Sequence, residues 1–167
     1  MPTTIKMTLD PKSIDRAIKR IQAYQNRLER KCRKIAEECA KLGALSATID
    51  FSRVPYVGDK DLTVNVRREG EKYVIMAAGE TVMFLEFGSG AAYGDGHPQA
   101  ADFGFGPGTW SDGPNGKHHW DDPIGWYLPK EKGGGHSYGN PPAMAMYNAS
   151  KNIQQEIEQI ARRVFAE

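Results

Sequence analysis

The sequence predicts an α+β domain: a long N-terminal helix, a small antiparallel sheet and a C-terminal amphipathic helix, with a long Gly- and aromatic-rich insertion. Three observations predict it. Apolar residues recur at helical spacing over 14–42 and again over 147–164, they alternate with polar residues over 62–66, and 14 of the 18 Gly fall within 88–142. A chain of 167 residues suits one domain, 1–167, with 88–142 as a loop or arm inside it.

The first helix opens at Asp10-Pro11, an N-cap residue followed by Pro at N1, where the missing N–H costs nothing. Ile14, Ile18, Ile21, Leu28, Cys32, Ile35, Cys39 and Leu42 then follow in steps of three and four, with Gln25 in one apolar position. Lys19, Arg20, Arg27, Arg30, Arg33 and Lys34 occupy the other faces. The helix is at least 30 residues, roughly 45 Å or more; Gly43 kinks or ends it, or Leu45 and Ile49 extend its stripe. So small a chain cannot cover so long a helix, and part of it is expected to pack on another subunit. Cys32 and Cys39, seven apart, stand roughly 10 Å apart along the axis, beyond the roughly 7 Å Cα separation a disulfide spans. They are expected to be two buried, unpaired thiols.

Leu62, Val64 and Val66 alternate with Thr63, Asn65 and Arg67, the period of a half-buried strand. A turn at Glu69-Gly70-Glu71 leads to a second strand over 72–78, making an antiparallel hairpin that Gly79 ends. Residues 81–87 fit either a short helix or a strand. The last helix is expected over 143–165, with Asn140 as N-cap, Pro141 and Pro142 in the first turn, and Tyr147, Ile153, Ile157, Ile160 and Val164 on the apolar face.

Segments 88–142 hold 7 of 10 Pro, all 3 Trp, all 4 His and 8 of the 16 aromatics, but only Ile124 and Leu128 as aliphatics larger than Ala. Such a segment cannot build its own core, yet disordered chains are poor in aromatics, and Trp and Tyr are enriched at interfaces. An arm that orders against a partner is expected, in part a hairpin of 126–128 facing 136–138. Apolar runs stay far below the roughly 20 residues of a membrane-spanning helix, and no signal peptide is readable in the first residues. No membrane association is expected, and a cytoplasmic origin is.

The formal charge of +1 hides an excess of +6 in residues 1–42. That basic helix supports a DNA-binding accessory role as one alternative. A second alternative, a metal-dependent hydrolase or nuclease, would use His118, His119 and Asp121, with Asp122 and His97 as further candidates. Neighbouring His side chains on extended backbone point to opposite faces, however, and HExxH, CxxC and P-loop patterns are missing from the sequence.

The stretch Val82-Met83-Phe84-Leu85-Glu86-Phe87-Gly88-Ser89-Gly90, preceded by Ala77-Ala78-Gly79, resembles the signature of the gp-ten-like morphogenesis proteins of long-tailed phages. These are also described as head-tail joining, neck, tail-completion or minor capsid proteins. Trp126-Tyr127 in a Gly- and Trp-rich insertion, then Gly139-Asn140-Pro141-Pro142-Ala143 and Met146-Tyr147-Asn148, match in the same order, as does the turn at Gly58-Asp59. Ala145 stands where the family often has Pro. The resemblance implies a non-enzymatic virion protein without cofactor or metal. It would form a homo-oligomeric ring at the head-tail junction, made in the host cytoplasm, with portal-side head-closure proteins and tail-tube or terminator proteins as neighbours and at most non-specific contact with phage DNA. The residues expected to serve assembly are Phe84, Glu86, Phe87, Gly88, Gly90, Trp110, Trp120, Trp126, Tyr127 and Tyr138. Phe84 and Phe87 are assigned to packing, Gly88 and Gly90 to backbone conformations that a Cβ would strain, and Glu86 to an ion pair or to backbone N–H groups.

Overall fold

The computed structural model describes residues 4–56, 59–89, 96–103, 126–127, 130–132 and 135–167. The fold is α+β. Helix α1, Pro11–Arg53, runs for 43 residues, about 65 Å. The Asp10 carboxylate accepts the Ser13 N–H at 2.9 Å, capping the first turn. Strands β1, Thr63–Glu69, and β2, Lys72–Ala78, pair antiparallel with Glu69 opposite Lys72 and Thr63 opposite Ala78. Gly70 makes the tight turn at φ +61°. The pair packs against α1.

Helix α2 is Val82–Phe87, which resolves the ambiguity over 81–87. A second small ladder joins β3, Trp126–Tyr127, to β4, His136–Ser137, in the register Trp126 opposite Ser137. Helix α3, Ala145–Ala166, lies antiparallel along the C-terminal half of α1. Asn148 donates to Asp50 and Asn152 to Ser46, while Lys31 reaches the last turn of α3. None of the described helices is long and apolar enough to cross a membrane.

Two clusters of side chains hold these elements. Ala47 and Phe51 of α1, Leu85 of α2 and Ala143, Ala145 and Ala149 form one, with Leu62, Val64 and Ala77 of the hairpin packed on it. Cys39 of α1 with Ile160 and Val164 of α3 form the other, flanked by Ile35, Leu42 and Ile153. Small residues dominate, so the backbones lie close and dispersion contacts are dense.

Gly43 does not end α1, which runs on to Arg53. A Cβ there would stand 2.6 Å from both Ile153 Cδ1 and Ile75 Cδ1, so Gly43 is the point where α3 and the sheet both press on the helix. Leu45 and Ile49 do not extend the apolar stripe either: both are exposed, and the buried face continues through Gly43, Ala47 and Phe51. Lys60 closes the helix, its ammonium donating to the carbonyls of Phe51, Ser52 and Val54. A cation suits the negative end of the helix dipole.

The two thiols part ways. Cys39 is buried against α3, and desolvation, helped by Glu38, pushes its thiol up. Cys32, expected to be buried, is exposed because it stands where α3 ends. Ellman's reagent should therefore react with one thiol of the folded protein and with a second only on unfolding; two fast thiols would contradict the packing.

Gly79 and Gly70 make a further test. At Gly79, φ is +146° and a Cβ would lie 1.8 Å from the Asp61 carbonyl oxygen, whereas at Gly70 nothing lies within 4 Å. In urea unfolding, Gly79→Ala should cost at least roughly 2 kcal/mol, and Gly70→Ala only the ~1 kcal/mol of its left-handed backbone.

Candidate functional site

The stretch Phe84 to Ser89 and the entry to α3 are joined into one buried unit, and Glu86 is at its centre. Glu86 is 5% exposed. Its Oε2 accepts the Met146 N–H at 3.0 Å and its Oε1 the Tyr147 N–H at 3.1 Å, so the carboxylate caps the first turn of α3. Those N–H groups have no partner within the helix, and the dipole there favours negative charge. Backbone bonds extend the joint: Ala143 N–H donates to the Leu85 carbonyl at 2.7 Å and Met144 N–H to the Glu86 carbonyl at 3.1 Å. Met144, just ahead of the helix, takes φ +50°, a conformation that costs a non-glycine residue about 1–3 kcal/mol and that these bonds enforce.

Asn140 is consequently not the N-cap of α3, and Pro141 and Pro142 are not in its first turn. Asn140 instead pairs with Ser89 by two backbone bonds, at 2.9 and 3.0 Å, across the root of the insertion. The Asn140 amide donates to the carbonyls of Phe84 and Pro141, and its oxygen accepts the Ser89 hydroxyl at 2.6 Å. Gly88 stands at φ +79°, where a Cβ would meet Pro142 N at 2.8 Å and Asn140 O at 3.0 Å. A side chain at 88 would force the two strands of the root apart.

His97 is the residue whose role the sequence did not signal. It is 4% exposed, and its Nε2 lies 3.2 Å from Glu86 Oε1, while its Nδ1 accepts the Gln99 N–H at 3.0 Å. Accepting that N–H fixes the tautomer: Nε2 carries the proton and donates to the carboxylate. The ring packs between Phe87, centroids 4.4 Å apart, and Tyr147, at 5.6 Å, with Phe103 against Phe87 at 5.3 Å. A His–carboxylate pair can serve as a base only through a free second nitrogen. Here that nitrogen is engaged, so the arrangement is a clamp that fastens the first residues of the insertion to α2 and α3. A cavity of about 270 Å³ opens beside it, lined by Glu86, Phe103, Met146, Tyr147, Lys151 and Gln154 among others. Lys151 lies over the Tyr147 ring at 5.5 Å.

Asp61 organises the preceding turn. Its carboxylate accepts the Thr81 hydroxyl at 2.7 Å and the N–H groups of Glu80 and Thr81, at 2.9 and 3.0 Å. The Thr81 hydroxyl first, then the Glu80 N–H, hold its pKa below the ordinary carboxylate value.

Of the residues expected to serve assembly, Glu86, Phe87 and Gly88 are brought together here. Phe84 supplies its carbonyl to Asn140. Trp126 and Tyr127 form β3, and Tyr138 is 66% exposed with its ring 4.6 Å from that of His136. Gly90, Trp110 and Trp120 lie outside the described residues, as do His118, His119, Asp121 and Asp122. Among the described residues no group of three His, Cys, Asp or Glu side chains could hold a metal ion.

Glu86→Ala should leave three buried donors without an acceptor and cost about 3 kcal/mol or more in urea unfolding, with Glu86→Gln less harmful because one acceptor oxygen remains. Asp61→Asn should be pH-dependent in a defined sense. The native pKa of Asp61 is lowered, so its contribution is full above about pH 4, the unfolded value, and is lost as pH falls through the native one. The stability gap between wild type and Asp61→Asn should thus be widest at neutral pH and close on acidification; a gap independent of pH would contradict the capping role. Compared with known proteins, the chain matches no family model, no curated protein and no solved structure.

Proposed function

We propose that this chain is a structural subunit of the head-tail connector of a tailed phage or prophage. Copies of it assemble as a ring and dock onto portal-side and tail-tube neighbours, in the virion once assembly is complete. One observation carries the reading: α1 projects about 20 residues, roughly 30 Å, past the end of α3, with Ile18, Ile21, Tyr24 and Leu28 exposed. An amphipathic helix of that length is marginal in water unless something packs on its apolar face. The resemblance of 82–90 and 139–148 to the phage morphogenesis proteins names the class of assembly. The Ser89–Asn140 bridge supports it, because an arm whose two ends are fastened together can reach a neighbour without loosening the domain.

Purified protein should form closed oligomers, seen by sedimentation and in electron-microscopic class averages. Replacing 104–125 with a short Gly-Ser linker should leave the core folded, read by circular dichroism, and abolish docking to portal or tail-tube proteins. A strictly monomeric chain that also fails to co-purify with those proteins would refute the connector reading.

The projecting end also favours a second reading, a DNA-binding accessory protein, since residues 11–30 carry six Lys/Arg against two Asp/Glu. That reading requires duplex binding that falls steeply with salt, whereas a connector needs only weak, sequence-independent contact. The hydrolase reading rests on His118, His119 and Asp121; bound metal after dialysis, and nuclease activity lost in His119→Ala, would be its signature.

A further inference from the structure

The apolar seam of α1 is longer than the helix that covers it. From residue 35 onward the seam is filled by the chain itself: Ile35, Cys39 and Leu42 meet Ile153, Ile160 and Val164 of α3. Cover ends where Lys31 donates to the carbonyls of Val164 and Phe165, at 2.8 and 3.1 Å, and Lys34 pairs with Glu167. The same steps of four and three continue beyond that point through Leu28, Gln25, Ile21, Ile18 and Ile14. There Ile18 is 46% exposed, Ile21 47% and Leu28 37%, with Tyr24 beside them at 48%, while Ile14 is half-buried and the small Ala17 is buried between them.

We propose that this end of α1 receives an acidic amphipathic helix of another protein, laid along the seam in line with α3. The proposal rests on the reading of the projecting helix as an assembly surface and names what occupies it. The spacing calls for a helix: steps of three and four leave holes that the side chains of a second helix fill, as α3 fills them farther along the same seam. The charge calls for acid. Residues 11–30 carry a net +4, and Arg20, Arg27 and Lys31 border the Tyr24 side of the stripe, with the Arg27 guanidinium 5.6 Å from the Tyr24 ring centroid. The covered stretch sets the precedent, since Lys31 and Lys34 there take carbonyl and carboxylate oxygens of the helix that packs on them.

A second copy of this chain fits this seam less well, so the seam serves docking to a neighbouring protein and contacts between copies in the ring fall to other surfaces. Its own α1 would bring +4 against +4, and the apolar residues Ile160 and Val164 of its α3 are already buried. A lipid surface fits less well too, because an interfacial helix needs a broad apolar face, and this stripe is a narrow seam with Gln25 at its centre. Gln25 would favour a polar residue opposite it and so fix the register of the partner.

The test uses the full chain and a labelled 21-residue peptide with Leu at the a and d positions of three heptads and Glu at e and g. A twin peptide carries Lys for Glu. Fluorescence anisotropy should show binding of the acidic peptide and none of the basic one. Ile21→Asp, at an exposed position, should weaken binding at least tenfold with an unchanged circular dichroism spectrum, and Arg20→Glu with Arg27→Glu should shift preference toward the basic peptide. Equal binding of both peptides, or binding of neither, would overturn the proposal. So would co-sedimentation of the protein with phosphatidylserine vesicles while the acidic peptide stays free, or an Ile21→Asp variant that merely splits a dimer of this chain. Sedimentation of the protein alone reports separately on ring formation, so a failed ring and an unoccupied seam are told apart.

Discussion

The buried carboxylate of Glu86 is the interaction on which the middle of this molecule depends. It lies on a helix of six residues, too short to persist alone, and it supplies the charge that the first turn of α3 lacks. Remove it, and the N–H groups of Met146 and Tyr147 and the Nε2–H of His97 are left buried without an acceptor. A buried charge is costly unless it is fully hydrogen-bonded, and this one accepts three donors from two distant parts of the chain. That requirement ties α2, α3 and the start of the insertion to one point.

The same device recurs at the other helix ends. Asp10 caps the start of α1 and Lys60 its end, Asp61 holds the turn before α2, and Lys31 closes α3. In each case the charge is opposite to that of the helix end it meets. Asp10 and Lys60 are close in sequence to the helix ends they cap; Glu86 and Lys31 come from distant parts of the sequence. With a core built largely of Ala, close packing and end-capping together hold the helices in register. The stretch from Phe84 to Ser89 is thus, physically, a fastening. It leaves the N-terminal end of α1 beyond the reach of α3.

Much of this architecture was legible in the sequence because it is governed by local rules. Period 3.6 marked α1 and α3, period 2 with a Gly turn marked the hairpin, and Asp10-Pro11 marked a helix start. Gly88 was legible as a residue under conformational demand, though the Pro142 and Asn140 atoms that make the demand were not. Where local rules misled, a distant group had taken over the local task. Asn140-Pro141-Pro142 reads as a helix start, but a carboxylate 54 residues before Asn140 supplies the cap and frees Asn140 to lock the insertion. Gly43 reads as a helix stop, but the space it leaves is filled by Ile75 and Ile153. His97 reads as a further candidate for a metal or acid–base site, because nothing in its neighbours along the chain announces the Glu86 and Gln99 atoms it bonds.

What the sequence by itself determined was the list of elements, their amphipathic faces and the segregation of basic charge into the first helix, since each depends on residues a few positions apart. Only the tertiary structure decided which part of the α1 seam is covered, which cysteine is buried and which carboxylate caps α3. Those follow from where α3 lies along α1 and from which side chains reach its two ends. Contacts between residues far apart in sequence set that alignment, and no periodicity within a single element encodes it.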